Sequence, residues 1–193
     1  MSDFWKTAIS KVSPNEILVR GYPIEQLTRS RSFGDVVYLL LKGELPDGHQ
    51  GRMVEAILVS CCDHSLAAPS ADAVRFVASC GVPLQTAVAA GVSAIGDVHG
   101  GAMEPCAEIL QQTVSAGTSA EDVVADLRAA GKRLPGFGHP VHSEDPRVTA
   151  LLELARDWQI ADAHTALACQ LEAALEKVSG KRLPMNVDGI VAA

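Results

Sequence analysis

The sequence is poor in aromatic residues, which make up 4% of it, while Ala, Val, Leu and Gly are common. That mixture suits closely packed helices better than a β-sandwich, which draws on aromatic and β-branched side chains. Cationic residues are in the minority: the formal charge is −7. A nucleic-acid or anionic membrane surface needs clustered Lys and Arg, so neither partner is expected. A few local arginines can still hold a small anion. Cysteine spacing of the CxxC type is absent. The five cysteines, Cys61, Cys62, Cys80, Cys106 and Cys169, are odd in number, which points to neither a disulfide framework nor a zinc site. Their apolar or small neighbours suggest buried, reduced thiols. The start, Met1-Ser2-Asp3-Phe4-Trp5-Lys6, has no basic region followed by an apolar run, and so does not read as a signal peptide. The apolar stretches are too short, and too broken by Gly, to span a bilayer. A cytoplasmic location is the expectation. Internal repeats, low-complexity tracts and a convincing series of strands are also missing.

A chain of 193 residues can bury a real core as one domain, or as one domain with a small lobe. Residues 15–25 read as a short extended piece turning at Gly21 and Pro23. Ser32 is placed to cap a helix over 33–41, which stops at Gly43 and Pro46. Apolar spacing predicts helices over 51–62 and from Pro69 to Gly81. The segment 83–96 carries small residues nearly all round, Gly91 among them. It is expected to be buried on several sides, as a core helix, a subunit interface or both. Further helices are predicted over 103–116, over 120–130 behind Ser119, over 147–158 behind Asp145-Pro146, and over 161–178.

Three histidines stand at junctions beside glycine or an acid: His64 after Asp63, His99 before Gly100-Gly101, and His139 after Gly138. Glycine beside a polar side chain lets a ligand approach the backbone, yet taken singly such a histidine is more often structural. His142, three residues after His139, invites a metal reading with Asp145, but a loop holding Pro140 lacks helical HxxxH geometry; no metal is expected. His49 lies in a polar turn and His164 in a helix near Asp162; both read as surface residues. The loop Leu134-Pro135-Gly136-Phe137-Gly138-His139-Pro140 is not a phosphate loop, having too few glycines and no following Lys. Its free backbone groups beside an aromatic ring could hold a purine, or simply make a turn. Asp188 opens an apolar run. That is the ordinary helix N-terminal preference for an acid, or else a carboxylate whose apolar neighbours raise its proton affinity and fit it to act as a base.

Taken together, Arg20-Gly21-Tyr22-Pro23-Ile24-Glu25, the stretch from Phe33 to Gly43-Glu44-Leu45-Pro46, Asp63-His64, His99-Gly100-Gly101-Ala102, Pro135-Gly136-Phe137-Gly138-His139, Asp145-Pro146-Arg147 and Asn186-Val187-Asp188-Gly189 resemble the motifs of citrate synthases, in that family's order and over nearly the whole chain. Only positions 47–63 separate Pro46 from His64. That short connection is similar to citryl-CoA lyases and to the cleaving module of ATP-citrate lyase, although His99 departs from the latter module. The resemblance implies an all-α, citrate-synthase-like fold: a large helical domain over 1–104, a small helical lobe over 105–183 with the active cleft between, and a return to the large domain over 184–193. The family continues through further helices that supply more arginines, one across a dimer interface. Their absence after residue 193 implies either that they lie outside this sequence or that the protein is a remnant.

The resemblance also implies roles. His99 would donate to the thioester oxygen as acetyl-CoA becomes an enol, Asp188 would take the methyl proton, and His139 would serve the keto oxygen of oxaloacetate. His64 and Arg147 would hold the carboxylates, and Leu134, Pro135, Gly136, Phe137 and Gly138 would contact the adenine of CoA. An α-proton of a thioester is too weakly acidic for a free carboxylate unless a positioned donor meets the developing oxygen charge. The implied partners are acetyl-CoA or citryl-CoA and oxaloacetate, with CoA thioester as substrate, no permanently bound cofactor, and a homodimer. Two other functions stay open: a non-catalytic CoA-binding or regulatory protein of this fold, and a metal-dependent hydrolase using His99, His139 and His142.

Overall fold

The computed structural model describes residues 7–63, 65–66, 68–139 and 142–193. It is mostly helical, with ten helices and one small sheet among the described residues. The chain divides into two compact units, Met1–Val59 and Ser60–Ala193.

The first unit begins with an antiparallel meander, β1 (Ser10–Ser13), β2 (Glu16–Val19) and β3 (Tyr22–Pro23), in which Ser10 pairs with Val19 and Leu18 with Pro23. The extended piece expected over 15–25 is therefore a strand pair, and β1 and the helix α1 (Ile24–Ser30) were not foreseen. Strands of four residues or fewer carry too few alternations to stand out by period. Helix α2 (Phe33–Lys42) starts as expected. Ser32 accepts the Asp35 N–H while the Asp35 carboxylate accepts the Ser32 N–H, a reciprocal cap, and Gly43 ends the helix in the left-handed conformation. Helix α3 (Gln50–Ser60) follows.

In the second unit, α4 (Pro69–Ser79) packs against α5 (Leu84–Ser93). Helices α6 (Met103–Ala116), α7 (Ala120–Ala129) and α9 (Ala163–Ser179) pack around Leu110 and Leu171, both fully buried, with Cys106 and Met185 beside them in the core. Removing such a leucine side chain costs about 2–5 kcal/mol. Helix α8 (Pro146–Asp157) and the short α10 (Val187–Ala192) complete the unit, α10 lying against α6 and α8. The caps Ser119 and Asp145 stand where the sequence puts them, and Asp162 caps α9 by accepting the His164 and Thr165 N–H groups.

Two expectations are corrected here. Helix α5 is not buried on several sides: Ala87 and Gly91 are buried, while Leu84, Val88 and Val92 are 75%, 46% and 63% exposed. Gly91 faces α4, where an added Cβ would collide with Val74 and lie 3.1 Å from the Ser70 carbonyl oxygen. Nor are the thiols generally buried. Cys106 is, but Cys61, Cys62 and Cys80 are exposed, because the first two follow the end of α3 and Cys80 ends α4. Among the described residues, no helix is long and apolar enough to cross a membrane.

Candidate functional site

The loop 134–139 is stitched to the segment that leads into α10. The Gly138 N–H donates to the Pro184 carbonyl (2.7 Å), the Asn186 N–H to the Gly136 carbonyl (3.0 Å), and the Asn186 side-chain amide to the Gly138 carbonyl (3.0 Å). The same Asn186 side chain accepts the N–H groups of Asp188 and Gly189 at 3.0 and 3.2 Å. The two backbones touch at Gly136 and Gly189. A Cβ on Gly136 would stand 2.7 Å from the Gly189 Cα, and one on Gly189 would meet the Gly136 carbonyl oxygen. Only glycine permits that approach, and Gly136 also has φ +81°. His139 and Asp188, 49 positions apart in the sequence, are thereby carried on one bonded pair of segments.

Asp188 is half-buried in the first turn of α10. Beneath the loop, burial and then the negative charge of Asp188 push the Cys106 thiol up to about 11, so at neutral pH it is an uncharged packing group. On the other side stands Arg147, the second residue of α8. Its Nε donates to Asp145 Oδ1 (2.9 Å) and its Nη2 to Asp145 Oδ2 (2.7 Å), while its backbone N–H donates to Oδ1 (3.0 Å). The Asp145 side chain is fully buried. Burial would raise its carboxyl, but the hydrogen bonds from Arg147, then the charges of Arg147 and His142, outweigh that and hold it below the usual carboxylate range. The hydrogen bond that Arg147 donates to Asp145 in turn raises Arg147 further, against its own partial burial, with Asp188 among the negative groups that add to the effect. Two of the five guanidinium N–H groups point at Asp145. Among the described residues, no side chain or carbonyl is seen to take the other three.

His139 and His142 lie together, with ring centroids 4.4 Å apart and planes inclined at 33°. The His142 backbone N–H donates to His139 Nδ1 at 2.9 Å. His99 is set in a turn closed by paired backbone bonds with Gly96, at 2.8 and 3.0 Å. The Ser70 N–H, in the first turn of α4, donates to His99 Nε2 (3.3 Å), and the Ser70 hydroxyl is 3.0 Å from the same nitrogen. Because an N–H only donates, Nε2 is the acceptor, and a neutral His99 carries its proton on Nδ1. His64 lies outside the described residues.

A groove of about 830 Å³ opens beside the loop, lined by Leu127, Arg128, Lys132, Phe137 and His139 among others. Leu134 and Gly138 line it too; Pro135 and Gly136 do not. Arg133 adds a third cation, and Arg128 is steadied by donating to the Val178 carbonyl (2.9 Å). Sequence reasoning missed this basic rim, as it missed Ser70 and the bond from Asn186 to the loop; for the rim the one available signal was Lys132-Arg133 following the helix end at Gly131. Among the described residues, no group of three or more His, Cys, Asp or Glu could hold a metal ion. A fixed cation, two imidazoles and a carboxylate are chemically equipped to bind an anion and move protons.

A mostly helical array that carries such a group on one loop and the helix ends around it fits a citrate-synthase fold. The chain belongs to the citrate synthase family: the family model for the citrate synthase C-terminal domain matches residues 3–52 and 46–193. Among solved structures it resembles citryl-CoA lyase from Hydrogenobacter thermophilus, with 42% identity and a TM-score of 0.93 over 98% of this chain and 74% of that one. ATP citrate lyase from Methanothrix soehngenii, solved with citrate and coenzyme A, matches at 27% identity and a TM-score of 0.92, over 100% of this chain and 32% of that one. A probable ATP-citrate synthase of Caenorhabditis elegans is 30% identical over 96% of this chain. The chain spans 17% of the length of that curated relative.

Proposed function

We propose that this protein cleaves citryl-CoA to acetyl-CoA and oxaloacetate, or runs the condensation. The observation that carries the reading is the 42% identity to the Hydrogenobacter citryl-CoA lyase along 98% of the chain. In the condensation, His99 donates from Nδ1 to the thioester oxygen while Asp188 removes a methyl proton. The enol carbon then attacks the keto carbon of oxaloacetate, and His139 donates from Nε2 to the oxygen that gains charge. Arg147 and His64 hold the oxo-acid carboxylates. Cleavage runs these steps in reverse. Neutral donors suit the task, since each acts where charge develops rather than on the resting substrate.

CoA would lie along the groove, its adenine against Leu134, Phe137 and Gly138 of the loop, whose turn Pro135 and Gly136 shape, with the cations of Arg128, Lys132 and Arg133 supporting its phosphates. CoA thioester is thus a substrate, and no permanently bound cofactor is proposed. The large domain would run over 1–104, the small lobe over 105–183, and 184–193 would return to the large domain, in a cytoplasmic homodimer. The stripe of Leu84, Val88, Val92 and Ile95, each 46% exposed or more on α5 and just beyond its end, supports a subunit interface there.

Incubation with citryl-CoA, and separately with acetyl-CoA plus oxaloacetate, tests the activity when products are followed by mass spectrometry. Absence of product in both arms, together with no oxaloacetate binding by calorimetry in the presence of CoA, would leave the non-catalytic CoA-binding reading instead.

A further inference from the structure

The pairing of His142 with His139 is not used by the mechanism above. It stands outside the chemistry of Asp188, His99 and Arg147, yet two separate contacts tie it to the proposed keto-oxygen donor. One is from the backbone: the His142 N–H donates to His139 Nδ1 at 2.9 Å. A neutral His139 held in that bond must carry its proton on Nε2, the nitrogen at the far side of the ring. The second is from the side chain: the two imidazoles lie 4.4 Å apart at 33°, at the short limit of aromatic contacts. The first contact selects the tautomer. The second restrains the ring plane, and with it the direction of the Nε2–H bond.

His142 is otherwise poorly suited to a structural task. It is exposed, so its ring adds little to the core. Asp145, whose carboxylate feels its charge, is already engaged by Arg147 through two side-chain hydrogen bonds. A structural account of this loop needs no imidazole at 142.

We infer that His142 is a positioning residue for His139, its backbone N–H fixing the proton on His139 Nε2 and its ring fixing the plane in which that proton is offered. The inference rests on the reading of His139 as the keto-oxygen donor. A stacked neighbour matters most at the moment of transfer, when a misaligned donor loses the developing charge. Loss of the ring should therefore act on turnover rather than on substrate affinity.

The test uses the full chain as wild type, His142→Ala and His142→Phe, with ¹⁵N-labelled histidine and His139→Gln to assign the His139 signals. Two readouts are taken: the tautomer of His139 by NMR, and kcat and KM for citryl-CoA. The expected result is a single Nε2–H tautomer in wild type and in both variants, since each keeps the backbone N–H, with a kcat about three- to tenfold lower in His142→Ala and KM within twofold. His142→Phe keeps an aromatic face and should restore most of the turnover. A wild-type His139 protonated on Nδ1 would overturn the inference. So would a His142→Ala variant with kcat unchanged, a loss that falls on KM alone, or a loss that Phe does not rescue. A mixed tautomer in His142→Ala would also defeat it, because the ring and not the backbone N–H would then select the protonated nitrogen. Should wild type prove inactive on citryl-CoA, the proposed function fails, and the NMR arm alone still judges whether the backbone N–H at 142 sets the tautomer of His139.

Discussion

Two parts of the second unit hold their polar groups in different ways. Around loop 134–139 several groups are tied to protein partners: Asp145 grips Arg147 through two side-chain hydrogen bonds, and Asn186 bonds the loop on one side and α10 on the other. At the α4–α5 pair, His99 meets Ser70 through one ring nitrogen, and the neighbouring α5 surface is apolar and exposed. The first region is rigid before any ligand arrives. Such preorganisation is what transition-state charge needs, because dipoles already in place cost nothing to align. The second region offers a histidine on a scaffold whose outer face still has apolar area to bury, which is what a partner subunit would cover.

The comparison breaks most completely at Asp188. Under the proposed mechanism, Asp188→Asn should cut solvent exchange of the acetyl-CoA methyl protons by about a hundredfold or more. CoA affinity by calorimetry should stay close to wild type. Exchange at the wild-type rate would remove Asp188 from the role of base.

The rigidity of the first region can be attacked through its buried pair. Lys cannot reproduce the fork of Arg147, so Arg147→Lys should weaken oxaloacetate or citryl-CoA use about ten- to a hundredfold while CoA binding hardly moves. Asp145→Asn keeps an oxygen to cap α8 but leaves Arg147 without its charge partner. Breaking such a pair from one side destabilises strongly; with Arg147 partly exposed, about 2–3 kcal/mol is expected. The sign with pH follows from the lowered proton affinity of Asp145. A depressed carboxylate stabilises the fold above its unfolded-state value, and that contribution is lost as pH falls through its folded-state value. Urea unfolding should therefore separate variant from wild type at pH 7, and the gap should narrow as pH falls below the ordinary carboxylate range. A gap that does not change with pH would mean the charge is not what matters.

How much of this could be read from sequence follows the range of each contact. Ser32, Ser119 and Asp145 were legible as caps, because a cap bonds its own helix within three residues. The long-range bonds of Asn186 and Ser70 were not: Asn186 reaches Gly138 across 48 positions, and Ser70 reaches His99 across 29, and no local pattern marks either contact. The exposed thiols were misread because apolar neighbours in sequence do not imply apolar neighbours in space once a helix ends, as it does before Cys61. Segment 83–96 was read as buried from its small residues, yet those residues serve one face, where Ala87 and Gly91 are buried.

That correction also changes how an interface is tested. Gly91→Leu would collide with Val74 inside the subunit and would report on folding. Val92, 63% exposed, lies on the free face. A charge placed there would have to be buried in a dimer, so Val92→Glu should weaken association by about tenfold or more while the monomer stays folded. Sedimentation equilibrium against concentration decides it; an unchanged dimer would place the interface elsewhere.

The smallest effect is expected at Ser70, and it sharpens the contrast between the two regions. Ser70 meets His99 Nε2 twice, through the backbone N–H at 3.3 Å and through the hydroxyl at 3.0 Å. Ser70→Ala removes only the second. The backbone donor remains, so Nε2 stays the acceptor and the proton stays on Nδ1. A net hydrogen bond is worth about 0.5–1.5 kcal/mol, and where its partner keeps another donor the loss should fall at the low end, near a two- to fivefold drop in kcat. Substitution by Thr, which keeps the hydroxyl, should recover most of that drop. A loss of more than about thirtyfold in Ser70→Ala would mean that the hydroxyl, not the helix N–H, sets the tautomer of His99, and that this region depends on one side chain in the way the loop region depends on Asp145.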